Sequence, residues 1–184
     1  MLSIRLICVG KLKEQFYTDA VNEYTKRLSG YCKLESAEIP EYRILSERAV
    51  RGAESFDSGV RSTKQGGAAT AHLSARIAAA LEKERAAIMD KIPGGAKVVA
   101  LCVEGRETDS PGLAELLSGC ALGGVSKLCF LIGGSNGLHE SLKNAADLKL
   151  SLSRMTFPHN LSRIILLEQL YRAFTILGGG KYHK

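Results

Sequence analysis

Two stretches of this 184-residue chain hold residue types suited to cradling a buried ligand. The first is the glycine set Gly133, Gly134 and Gly137, which follows the apolar run 128–132 and precedes a helix start at His139. The second is the run of Leu152, Ser153, Arg154, Met155, Thr156 and Phe157. Glycines serve where a cofactor or another backbone approaches closely, and Leu, Met and Phe supply apolar walls. In open α/β sheets ligands bind beyond the carboxyl ends of the strands, and three such ends stand out here, near 101–106, 132–137 and 152–157. The glycine spacing differs from the dinucleotide fingerprint, and no acidic residue stands at the expected distance, which discounts a nicotinamide cofactor. Taken alone, the glycines serve equally well as a tight strand-to-helix turn.

Other chemistry-bearing residues lie on or beyond the last helix. Glu168 and Arg172 stand four apart and can pair, Arg163 precedes them by about one turn, and the tail carries Lys181, Tyr182, His183 and Lys184. Helical ion pairing explains the first set blandly, at about 0.3–0.5 kcal/mol for an exposed pair. His139, His159 and His183 form no ligand cluster in sequence, so no metal is expected.

These residues need elements to position them, and the pattern supplies strands alternating with helices. Residues 3–9 read as a first strand ended by Gly10, and Phe16, Ala20, Tyr24 and Leu28 then recur at helical spacing. A strand at 32–39 stops at Pro40. Residues 41–70 turn to Ser, Gly, Arg and Glu with a break at Gly66 and Gly67, which predicts a mobile loop with at most a short helix. A helix over 71–92, a strand over 97–103, a helix opened by Ser110 and Pro111, a strand over 128–132 and a helix near 140–146 follow. Alternation over 148–157 predicts a strand or strand plus loop, and Pro158 begins a helix that runs to Leu177. The whole reads as one α/β domain with a mostly parallel sheet flanked by helices. Ile164, Ile165, Leu166, Leu167 and Leu170 cover more than one face of the last helix, which predicts a second packing surface and, most simply, a two-fold dimer.

Bulk properties set the setting. A net charge of +6 favours a polyanionic partner, with nucleic acid the natural candidate. Cys8, Cys32, Cys102, Cys120 and Cys129 are odd in number and show no C-x-x-C pair, so reduced core thiols are expected. The N-terminal apolar run ends at Val9, short of a signal-peptide core, and no stretch approaches membrane-spanning length, so the cytoplasm is the expected compartment.

The segments 131–139, 152–159 and 168–173, the terminal Tyr182, His183 and Lys184, and the start at 4–13 together resemble the ribosomal RNA large subunit methyltransferase H family of the SPOUT class. The resemblance covers almost the whole chain in the right order, although 41–70 is longer than the family usual. It implies methyl transfer from S-adenosylmethionine to N3 of a pseudouridine in the helix 69 loop of 23S rRNA, on assembled ribosomes and by homodimers. It further implies a C-terminal trefoil knot, an exception to the unknotted rule that composition and periodicity do not show. The implied cofactor contacts fall on Leu101, Gly133, Leu152, Ser153, Arg154, Met155, Thr156 and Phe157, with a side chain at Gly133 expected to fill the cofactor's space.

The chemistry suits these residues. Adenine needs a flat apolar slot with backbone donors and acceptors, and methyl transfer needs alignment more than covalent help. Pseudouridine N3 carries a proton, so His183 is a candidate base, and Arg154 and Arg172 are candidates to stabilise the developing anion or hold phosphates. Lys181, Tyr182, Lys184 and His159 are candidate substrate contacts, His159 equally a helix-start residue; the identity of the base stays open. The competing reading from another class is a catalytically silent RNA-binding module that uses Lys11, Lys13, Arg27 and the tail on phosphates.

Overall fold

The structure, a computed structural model, describes residues 1–42 and 66–180, with backbone alone for 66–70. Five strands form one sheet in the order β2-β1-β4-β3-β5, all neighbours parallel: β1 Ser3–Val9, β2 Lys33–Ile39, β3 Lys97–Glu107, β4 Lys127–Ile132 and β5 Leu148–Ser151. The helices are α1 Gln15–Leu28, α2 Gly66–Lys91, α3 Ser110–Leu122, α4 Glu140–Ala145 and α5 His159–Leu177.

Strand side chains alternate between the two faces, so each central strand feeds two cores. Ile4, Leu6, Leu128, Phe130 and Ile132 join Leu28 of α1, Leu113 and Leu117 of α3, and Leu166, Leu167 and Leu170 of α5. Ile7, Val9, Cys129 and Leu131 face the other way, with Ile88 of α2 and Leu142 of α4. Each fully buried aliphatic or aromatic side chain contributes about 1.5–3 kcal/mol by leaving water. Asp109 caps α3 by accepting from Gly112 N–H at 2.8 Å, and Pro111 occupies its first turn, where the absent N–H costs nothing.

Two expectations shift, at Phe16 and at the start of α2. The buried stripe of α1 runs through Tyr24 and Leu28, whereas Phe16 is 62% exposed because the first turn projects past the core. Gly66 and Gly67, expected as a break, are the first residues of α2, which therefore starts before residue 71. Of the expected loop at 41–70, residues 43–65 lie outside the described residues, while Tyr42 N–H donates to the buried Glu84 carboxylate at 2.9 Å. The run 148–157 takes the expected strand-plus-loop form, a strand to Ser151, beyond which Ser151 Oγ donates to Ser153 O at 2.9 Å and Ser153 Oγ accepts from Met155 N–H at 3.0 Å, which turns the chain out of the sheet.

The multi-faced apolarity of α5 is used largely within the chain. This helix lies against both α1 and α3 as well as the sheet, leaving Ile164 and Ile165 half-buried. Its composition alone therefore does not call for a second subunit. The five cysteines are free thiols, as expected. Burial pushes Cys8 up to about 12 and Cys32 and Cys129 up to about 11, so they stay protonated at neutral pH.

Candidate active site

The carboxyl ends of β3, β4 and β5 open into one cavity of about 700 Å³, within the range of small-molecule sites. Leu101 and Ile132 close its floor, the loop 133–138 forms one wall, and the loop 152–158 with the start of α5 forms another.

The glycine wall is shaped by backbone contact. Gly137 has φ +76°, which favours glycine, and its N–H donates to Gly134 O at 3.0 Å to close a tight turn. A Cβ at Gly133 would lie 2.3 Å from Gly137 C and 2.7 Å from Leu138 N. The close approach that Gly133 permits is thus to its own loop, and a side chain there would strike this backbone before it reached a ligand. This corrects the expectation that such a side chain would simply fill the cofactor's space. Glu41 secures the turn from outside: its Oε1 accepts from Ser135 N–H at 2.9 Å and from Ser135 Oγ at 2.5 Å. His139 caps α4, its Nδ1 accepting from Ser141 N–H at 3.1 Å.

The opposite wall begins where β5 ends. Leu152, Ser153, Met155, Thr156, Phe157, Pro158 and His159 line the cavity, and Met155 is 68% exposed into it. A Cβ at Gly10 would lie 2.8 Å from His159 Nε2, so the glycine ending β1 leaves room for that imidazole. Beneath it the buried Arg163 ties α5 to the ends of β1 and β2: Nη1 donates to Glu38 Oε1 at 2.7 Å and Nη2 to Gly10 O at 3.0 Å. The sequence suggested helical ion pairing for Arg163 together with Glu168 and Arg172, and the structure corrects this, since its guanidinium turns to Glu38 and Gly10 instead. Its partners stand 125 and 153 residues away, and no local spacing announces them.

Most of the expected cofactor residues therefore converge. Leu101, Gly133, Leu152, Ser153, Met155, Thr156 and Phe157 share the cavity with His159. Arg154 does not line it; its side chain is 92% exposed, with Nε 3.4 Å from Glu107. Arg172 does not line it either. Glu168 Oε1 accepts from Arg172 Nη2 at 2.6 Å and from Nε at 3.0 Å, and Gln169 links the pair to Ser110 Oγ at 2.7 Å, so the bland helical pairing is realised and fastens α5 to α3. Lys181, Tyr182, His183 and Lys184 lie outside the described residues. Cys102, Glu104 and Asn136, which fall within the strand ends near 101–106 and 132–137, and Lys143 of α4 also line the cavity; none was singled out as a site residue, because a lone thiol, charge or amide carries no period. Among the described residues no group of three His, Cys, Asp or Glu is placed to hold a metal, and no helix is long and apolar enough to cross a membrane.

Comparison with known proteins bears on this geometry. The family model described as "Predicted SPOUT methyltransferase" matches residues 2–183. The ribosomal RNA large subunit methyltransferase H proteins of Bacillus pumilus (strain SAFR-032) and Clostridioides difficile (strain 630) are 40% and 38% identical to the chain, each over the full length of both. A solved structure from Haemophilus influenzae Rd KW20, described as a probable methylase family protein, shares the fold with TM-score 0.51 at 13% identity, covering 100% of this chain and 72% of that one. With a family match over residues 2–183 and full-length matches of this identity, the chain belongs to the SPOUT methyltransferase family and, within it, to the ribosomal RNA large subunit methyltransferase H proteins.

Proposed function

We propose that this protein is an S-adenosylmethionine-dependent methyltransferase of large-subunit ribosomal RNA, and that its target is N3 of a pseudouridine in the helix 69 loop of 23S rRNA on the assembled ribosome. The observation that carries the reading is the convergence of Leu101, Gly133 and residues from the 152–157 run on one cavity beyond the strand ends. The donor set fits the cofactor. Leu101, Ile132, Leu152, Met155 and Phe157 offer apolar surface for a purine, and the glycine turn offers unobstructed backbone.

When bound, the cofactor supplies an electrophilic methyl group on a sulfonium. The protein's part is to hold and align, since a well-oriented pair of reactants needs little further assistance. The loop 152–158 grips, the glycine turn limits the depth of the cavity, and His159 faces the entering substrate from the start of α5. Arg154, exposed at the rim, meets RNA phosphate rather than the cofactor. His183 favours loss of the N3 proton, with Lys181 and Lys184 on phosphate and Tyr182 stacked on a base.

The path of α5 bears on which subunit supplies that tail. From Ser162, which lines the cavity, to Leu177 the helix carries the chain about 22 Å away, at ~1.5 Å per residue. Gly180 N–H folds back on Thr175 O at 2.8 Å, and the three links from there to His183 span only about 11 Å. A tail reaching no farther than this from Gly180 suits the cavity of a second copy better than that of its own chain, which favours a homodimer. The C-terminal trefoil knot belongs to the same reading through the family resemblance; a Cβ at Gly105 would lie 2.6 Å from Leu150 C, where β3 shifts register against β5. The setting is the compartment that holds ribosomes, the cytoplasm.

Mass analysis of 23S rRNA from cells with and without the gene tests the reading. A methyl group present at the helix 69 pseudouridine only in cells carrying the gene is the expected result; an unchanged rRNA modification pattern would leave the silent RNA-binding module in its place.

A further inference from the structure

Among the described residues that line the cavity, only Glu104 and Lys143 bear a fixed charge, and the charges are opposite. Glu104 comes from the stretch of β3 between its two registers with β5, after Leu101 pairs with Leu150 and before Arg106 pairs with the same residue. Lys143 comes from α4, and its ammonium bridges the carboxylates of Glu104 and, at 2.6 Å, Glu140. The Lys143 side chain is 16% exposed and that of Glu104 52%, so a held cation stands behind an accessible anion. Glu140 is not a lining residue. An ammonium has three donors and a carboxylate about four acceptor positions, so both groups keep capacity beyond their mutual bond.

We infer that Glu104 and Lys143 form the subsite for the α-amino acid end of the cofactor, the carboxylate facing the α-ammonium and the ammonium facing the α-carboxylate. This rests on the methyltransferase reading above. A zwitterionic end group must find both signs of charge close together, because burying either of its charges against apolar surface is costly. The walls made by Leu101, Ile132, Leu152, Met155 and Phe157 supply none. Charge complementarity thus sets the direction of the cofactor, with its purine toward the 152–157 loop and its amino acid toward β3 and α4. A lone phosphate would meet the exposed Glu104 carboxylate, so the pair does not serve as an RNA-backbone contact. Because the two charges nearly cancel, they discriminate by geometry rather than by net attraction.

Calorimetry on the full chain with S-adenosylhomocysteine, which has the amino acid end, and 5′-methylthioadenosine, which lacks it, tests the subsite. The wild type is expected to bind the first about tenfold or more tightly than the second. Glu104→Gln and Lys143→Met should each weaken S-adenosylhomocysteine by about tenfold and leave methylthioadenosine nearly unchanged. Glu140→Gln, which frees Lys143 on the side away from the cavity, should preserve the wild-type ratio, and Lys143→Arg should retain most of it. Thermal unfolding confirms that each variant is folded. Equal losses for both ligands would make the pair a structural link between α4 and β3 and overturn the subsite. No loss for either ligand would overturn it too. A wild type that binds neither nucleoside removes the reading of the cavity itself, and the subsite with it.

Discussion

The two walls of the cavity are built on opposite principles. The glycine wall owes its shape to missing side chains: Gly133 packs on the Gly137 backbone, and Gly134 lies where a Cβ would come within 2.9 Å of Val9 Cγ1 and 3.1 Å of Glu41 Oε1. The facing wall owes its character to side chains left uncommitted, with Met155 exposed on a loop pinned by two serine hydroxyl bonds. One wall sets the depth of the site and the other supplies the surface that grips. Substitutions on the first should therefore act on folding, and those on the second on binding.

The largest effect is expected at Gly133. Gly133→Ala forces apart backbone atoms that no rotamer change can move, and denaturant unfolding should show a loss of about 3 kcal/mol or more. A stable variant that merely binds the cofactor less well would break the contrast between the walls.

Arg163 underlies the facing wall, since it fastens the start of α5 to the ends of β1 and β2. Arg163→Met should cost about 2–3 kcal/mol by stranding Gly10 O and leaving Glu38 Oε1 with only the long bond from Leu12 N–H, with cofactor affinity also reduced through misplacement of His159 and Phe157. Glu38 is partly exposed, which keeps the loss below that of a wholly buried pair. Unaltered stability would show that water replaces the guanidinium without penalty.

Removing the outer brace of the glycine turn should do less. Glu41→Ala deletes the acceptor shared by Ser135 N–H and Oγ, and a loss of about 1 kcal/mol is expected because Ser135 can turn to water. Amide exchange at Ser135 should accelerate more than exchange in β4, and equal acceleration would mean the brace serves the whole fold.

Met155→Ala should be the mildest for folding, within about 0.5 kcal/mol, because the side chain is 68% exposed. Calorimetry should nevertheless show weaker cofactor binding, through lost apolar contact. Unchanged binding would place the ligand away from this wall.

How far these features were legible depended on sequence separation. The strands and helices are local: continuous apolar runs such as 128–132 and the Ser110, Pro111 helix start carry their own signal, and the strand-end rule then named the loops that meet at the cavity. Where local signals compete, boundaries moved. Gly66 and Gly67 looked like a break yet open α2, since helix propensity yields to what the following residues bury. Phe16 fitted the helical period of α1 but lies outside its buried stripe, because periodicity does not say where the core ends. The bonds of Glu41 to Ser135, Arg163 to Glu38 and Lys143 to Glu104 join residues 94, 125 and 39 positions apart, and nothing in the chain's local pattern pairs them.

By itself the sequence determined the alternation of strands and helices, the glycine and apolar loops at the strand ends and, through its family resemblance, the chemistry to look for. The tertiary structure alone decided that β1 lies between β2 and β4, that α5 spends its apolar faces on α1 and α3, and that Arg154 and Arg172 stand off the cavity. It likewise brought Glu104 and Lys143 into the cavity as a charged pair. Local pattern records which faces must leave water, whereas the choice of partner for each buried face or charge is made among distant segments by packing and by hydrogen-bond satisfaction, which appear only once the chain is closed.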